Sequence, residues 1–162
     1  MVNHQDRGAE TDESAKERID RELLELLYGL KVIIPGVQVL FAFLLAVPFA
    51  SGFVKADAFQ RDLLLVAAVA AAVSAVLLIA PAAQHRVLFR AGVKEELLHR
   101  ANRFAVVGTL SLGIAMVAAL LLLLDYLFSR SLAIAVCAAV AALLLWSWQI
   151  QPAISRARSL KN

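Results

Sequence analysis

Apolar side chains gather into four long blocks, Val32–Phe53, Leu63–Ala83, Phe104–Leu124 and Leu132–Ile150, separated by short charged segments. At about 1.5 Å of rise per residue, roughly 20 helical residues cross the roughly 30 Å hydrocarbon core of a bilayer. Each block has about that length. A soluble bundle needs a polar face on every helix, and Leu63–Ala80, where Ser74 is the lone polar side chain, offers none. The pattern predicts an all-α fold, an integral membrane four-helix bundle.

The polar segments refine the element boundaries. Residues 1–13 carry almost no large apolar side chain and are expected to be a disordered tail. Ser14 and Glu17 match a capping box, in which each end of the motif bonds the other's backbone N–H, so a helix should begin there. Ile19, Leu23, Leu26, Leu30 and Ile33 follow at steps of four and three, one apolar stripe on an otherwise charged helix spanning residues 14–31. That helix either lies flat on the membrane or runs on into the first span, with Gly29, Pro35 and Gly36 permitting a bend. Pro48 should kink or end the span. Asp57 and Gln60 form a second capping signal, opening a helix with no obvious stop before Gly92. A third helix should start near Val93 and enter the membrane near Phe104. Ser129 and Ser131 are placed to cap the fourth, and residues 151–162 form a second tail.

Charge sets the orientation. Thirteen Lys and Arg fall in the first segment, the middle loop and the final tail, while Lys55, Arg61 and Arg130 are the only three elsewhere. Moving cations across a polarised membrane is costly, so the rich side is expected to be cytoplasmic, with both termini on it. The first three helices then project beyond the apolar blocks as cytoplasmic extensions. The net charge of +3 reads as an orientation signal with some attraction to anionic lipid, and nucleic acid is not an expected partner. The first apolar block lies behind a largely polar and charged segment of some thirty residues and reads as an uncleaved anchor. Cys137, the single cysteine, sits among Ala and Val as a packing residue.

Candidate chemistry is sparse. No ionisable residue lies within the middle of any apolar block, which removes the embedded acid that proton-coupled transporters use. Gln38 is the deepest strong hydrogen-bonding group, and with Lys31 and Thr109 it is a candidate for polar contact between helices. Thr109 and Gly113 form the small-residue face singled out for close packing, ahead of Ala67, Ala71 and Ala75. Ser51, Ser74 and Thr109 can bond back to carbonyls of their own helices, so they add little. The segment Gln84–Arg103 is the richest polar cluster. Arg86, Arg90, Lys94, Arg100 and Arg103 are candidates for lipid phosphate or a protein partner, and His85, Glu95, His99 and Asn102 for a hydrogen-bond network. Asp62 and Asp125 read as end-of-helix caps. No catalytic residue, metal site or cofactor is expected.

RIDRELLELLYGLKV, GVQVLFAFLLAVPF, FQRDLLL, and LLIAP followed by HRVLFRAGVKEELLHRANR resemble an uncharacterised family of small four-span membrane proteins common in actinobacteria. The resemblance covers roughly residues 18–150, and Pro35 stands where Thr commonly precedes Gly-Val-Gln in that family. It implies four spans in a bacterial plasma membrane and assigns no activity. Residues and resemblance together lead to an expected non-enzymatic interaction protein, an accessory subunit or homo-oligomer. An oligomeric channel near Gln38 and an anionic-lipid binder using the Arg-rich hairpin are the alternatives.

Overall fold

A computed structural model describes residues 15–88 and 94–151, with the side chains of residues 15–20, 23, 85–88 and 94–98 outside that description. Four helices run up and down in chain order: α1 Ala15–Ala46, α2 Ala58–Leu88, α3 Lys94–Leu127 and α4 Arg130–Leu145. Leu24–Phe49, Ala58–Gln84, His99–Leu127 and Arg130–Ile150 are each long and apolar enough to cross a membrane. α1, α2 and α3, of 32, 31 and 34 residues, overrun the roughly 30 Å hydrocarbon core at about 1.5 Å per residue. The overrun lies at the end where α2 meets α3, the hairpin end; the opposite end, with residues 47–57 and 127–130, is the loop end.

α1 is one uninterrupted helix with Pro35 inside it, so the amphipathic segment continues into the span. Leu30, Val37 and Leu44 are its buried residues, spaced by seven, which keeps a single seam against its neighbours. Ser14, where this helix was expected to cap, lies outside the described residues. Pro48 ends the helix as its missing N–H requires: Val47–Phe49 and Ser51–Lys55 are short 3-10 turns. The first span therefore stops being α-helical at Ala46, short of Phe53. Pro81 is accommodated inside α2 and is fully buried.

The central pair is α2 and α3. Ala67, Ala71, Ser74 and Leu78 of α2 are all fully buried, and Ala101, Ala115 and Ala118 of α3 are buried with Ser111 between them. Small side chains at steps of three and four bring the backbones close. The approach is tightest at Gly108, where a Cβ would lie 2.8 Å from the Leu78 side chain and 3.3 Å from Leu77 Cβ. Ser74 Oγ donates to the Gly108 carbonyl at 2.8 Å, and Ser111 Oγ to the Ala70 carbonyl at 2.8 Å. Ser74 thus bonds across to α3, not along its own helix, because α3 has come near enough to offer a carbonyl.

The outer helices are attached separately. α1 packs across α2 and α3, with Leu30 and Val37 meeting Leu78, and Leu44 meeting Leu64 and Ala115. α4 packs on α3 alone among the described helices, burying Ala133 and Cys137. Its last turn, Trp146–Ile150, widens to a π turn. Ser147 Oγ donates there to the Leu143 carbonyl at 2.8 Å, occupying an acceptor that the wider turn loosens.

The seam makes two expectations for purified protein melted in detergent. Gly108→Ala should cost about 1–3 kcal/mol through overpacking against Leu78. Ser74→Ala and Ser111→Ala should each cost about 0.6 kcal/mol, the mean for hydrogen bonds between membrane helices. Unchanged melting of all three variants would contradict a close α2–α3 contact.

Candidate functional site

The densest polar cluster in the described structure lies at the loop end. Asp57 precedes α2 and closes a capping box: the Gln60 N–H donates to Asp57 Oδ1 at 2.8 Å, and the Asp57 N–H to Gln60 Oε1 at 3.2 Å. The far side of the Gln60 amide is then free to reach α3, and its Nε2 donates to Asp125 Oδ2 at 3.0 Å. Arg130, the first residue of α4, completes the cluster. Its Nε donates to Asp125 Oδ1 at 2.8 Å, and one Nη donates to Asp125 Oδ2 at 3.2 Å and to Asp57 Oδ2 at 2.8 Å. The planar guanidinium suits this fork, and its face lies 4.3 Å from the Phe59 ring centre.

One arginine thereby ties the starts of α2 and α4 to the end of α3. The Asp125 side chain is only 3% exposed, against 49% for Arg130 and 53% for Asp57, so Asp125 is the enclosed hub. All its oxygen contacts are donors, as a buried carboxylate requires. Beside it the Tyr126 hydroxyl reaches the Gly52 carbonyl at 3.4 Å, a weak strap over the 3-10 turns. In the sequence Asp125 reads as a simple end-of-helix charge. The signal for more was a carboxylate and the loop's lone cation five residues apart across a helix break. Ser129 sits at the N-cap of α4 without a side-chain cap bond; Arg130 holds this helix start instead.

The other candidate residues are dispersed. Arg90 lies outside the described residues. His85 and Arg86 belong to the last turn of α2, and Lys94 and Glu95 to the first of α3, with side chains outside the description. His99, Arg100, Asn102 and Arg103 are exposed on α3, and Arg100 is engaged with a partner. Lys31 stays on its own helix, its Nζ 5.5 Å from the Tyr28 ring centre. Thr109 Oγ1 donates to the Ala105 carbonyl at 2.9 Å within α3, because a helical Thr hydroxyl lies over the preceding turn. Gln38 is exposed on α1, and no hydrogen bond reaches its amide among the described residues. Of Lys31, Gln38 and Thr109, none bridges two described helices; Ser74 and Ser111 do. The Thr109–Gly113 face is turned toward α4, away from the tight seam. Among the described residues no three metal-ligating side chains converge.

The cluster's protonation follows from its donors. The Gln60 backbone N–H, and after it the Arg130 guanidinium, hold the Asp57 carboxyl below its ordinary value. A carboxyl lowered by folding stabilises fully above its unfolded value of about 4, and that contribution is lost progressively as pH falls from there through the lower folded value. The melting temperature contributed by this cluster should therefore hold from pH 7 down to about 4 and fall progressively below that. Asp125→Asn should lower it more than Asp57→Asn, since Asp125 meets three donors from two side chains and is enclosed. Equal melting temperatures for the two variants would remove Asp125 from its central place.

No curated protein and no solved structure matches the chain. A family model does, over residues 12–152, and its description is a family of unknown function, DUF6328. The match takes in all four helices, the loop-end cluster and the hairpin end, and the chain belongs to this family.

Proposed function

We propose that this is a multi-pass protein of a bacterial plasma membrane, actinobacterial by its resemblance, with both termini cytoplasmic. It works without catalysis, by assembling with itself and with membrane partners. The observation that carries the reading is Gln38. Its amide stands on the outward face of α1, about 10 Å along the helix from Lys31 at about 1.5 Å per residue, with no partner among the described residues. An amide in hydrocarbon without a hydrogen bond is costly, and a second amide of the same kind can pair with it reciprocally, one N–H of each donating to the carbonyl of the other. Pro35 and Ala42, one turn to either side, are exposed with it and leave room for a neighbouring helix. The most strongly interacting ionisable groups described, Asp57, Asp125 and Arg130, are occupied in holding helices together, which favours an interacting role over chemistry.

Orientation rests on the thirteen-to-three division of positive charge, with Lys55 on the poor side. Two cysteine experiments in a Cys137→Ala background test the proposal. Ala42→Cys in native membranes should form a cross-linked dimer under mild oxidation, lost when Gln38→Leu is added; a dimer indifferent to Gln38 would refute the self-assembly. Lys55→Cys should react with an impermeant maleimide from outside the cell, and Lys94→Cys only after permeabilisation; the reverse pattern would overturn the orientation. Ion flux through reconstituted protein that Gln38→Leu abolishes would replace assembly by a conducting path.

A further inference from the structure

Alongside the α3–α4 contact a groove of about 420 Å³ runs between Thr109–Leu121 of α3 and the last two turns of α4 and the π turn, Ala141–Gln149. Thr109, Gly113, Val117 and Leu121 of α3 and Leu144 and Trp148 of α4 lie along it. Its volume falls in the roughly 300–1,000 Å³ range of small-molecule sites, and its walls are almost wholly apolar. From Thr109 to Leu121 it extends about 18 Å at about 1.5 Å per residue, the shape of an extended hydrocarbon chain. In a membrane such a cleft does not hold water, and the apolar walls give no reason for it to stay empty.

The hairpin end of the groove differs from the rest. Arg103 precedes Leu110, Ile114, Val117 and Leu121 at spacings of seven, eleven, fourteen and eighteen residues, so all five share one face of α3. Arg103 is exposed, and no carboxylate pairs with it among the described residues. It stands about 9 Å below Thr109 at about 1.5 Å per residue, room for a glycerol backbone between phosphate and first methylenes. Gln149, in the π turn, lines the groove from the other side, and its amide has no described hydrogen bond. An apolar channel with a cation and an unmet amide at its mouth matches one molecule in charge and polarity along its whole length. We propose that this groove binds an anionic glycerophospholipid, with one acyl chain along α3, its ester region at Gln149 and its phosphate on the Arg103 guanidinium. The site needs neither the proposed orientation nor self-assembly through α1, which uses a different helix.

The test uses the full chain carrying Trp146→Phe, so that Trp148 is the only fluorophore of its kind, in bilayers mixing phosphatidylcholine and phosphatidylglycerol. Brominated acyl chains are introduced on one lipid or the other at equal mole fraction. Brominated phosphatidylglycerol should associate with the Trp148 site about fivefold more strongly than brominated phosphatidylcholine, the effect of one basic side chain on an anionic headgroup. Arg103→Gln should abolish the preference while leaving quenching by both lipids. Gly113→Leu, which fills the groove beside Trp148, should reduce quenching by both, with helicity unchanged by circular dichroism. Equal association of the two lipids in the parent, or a preference that survives Arg103→Gln, would overturn the proposal. So would Trp148 shielded from both lipids together with copy-to-copy cross-linking through Ile114→Cys, which would assign the groove to a second copy.

Discussion

Inside a bilayer two apolar helices gain little hydrophobic free energy by touching, because lipid tails are as apolar as their own side chains. Contact has to come from close packing and from polar groups that find each other. α2 and α3 meet both conditions in one stretch. Gly108 removes the Cβ that would strike Leu78, the backbones approach, and only then do Ser74 and Ser111 reach carbonyls on the opposite helix. The remaining helices depend on this pair. α1 lays its Leu30–Val37–Leu44 seam across it, and among the described helices α4 packs on α3 alone.

At the loop end a second device does the same work with charge. The capping box at Asp57 turns Gln60 toward α3, Asp125 is enclosed by donors, and Arg130 anchors α4 as that helix begins. Its bond to Asp57 also links α4 to the start of α2, a helix against which α4 does not pack. Polar groups at the loop end and at the middle of the central pair are therefore matched within the chain. Among the described residues Gln38 on α1, and Arg103 with Gln149 beside the α3–α4 groove, have no partner and face outward or into open space, and Gln84 Oε1 of α2 is buried without one. Unmatched polarity in hydrocarbon is costly, and the functional proposals follow from where it stands.

Much of this fold is legible in the residues. Length and apolarity give the four spans, Pro48 gives the end of α1, and Asp57 with Gln60 gives the start of α2, because each is a local rule that neighbours cannot easily override. The continuity of α1 through Gly29 and Pro35 was open, since those residues permit a bend without requiring one. The polar contacts were harder. A serine in a helix can bond its own backbone or another's, and only the distance of α3 decides for Ser74. Small-residue spacing drew attention to Thr109 and Gly113, yet the tight face is Gly108, Ser111 and Ala115, offset from it around the helix. In so Ala-rich a chain several faces satisfy the same spacing. Asp125 looked like an ordinary cap because its burial is made by Arg130 and Gln60, which approach only after the helices have assembled.

The central claim is that polar groups matched within the chain hold the fold, while those left unmatched recruit other molecules. Counting subunits by single-molecule photobleaching in lipid nanodiscs cut directly from native membranes tests it most directly at Gln38. Parent and Gln38→Asn, which keeps an amide, should bleach in two or more steps, and Gln38→Leu in one, with all three equally helical. Parent protein bleaching in a single step, or Gln38→Leu retaining the parent's distribution, would contradict the account.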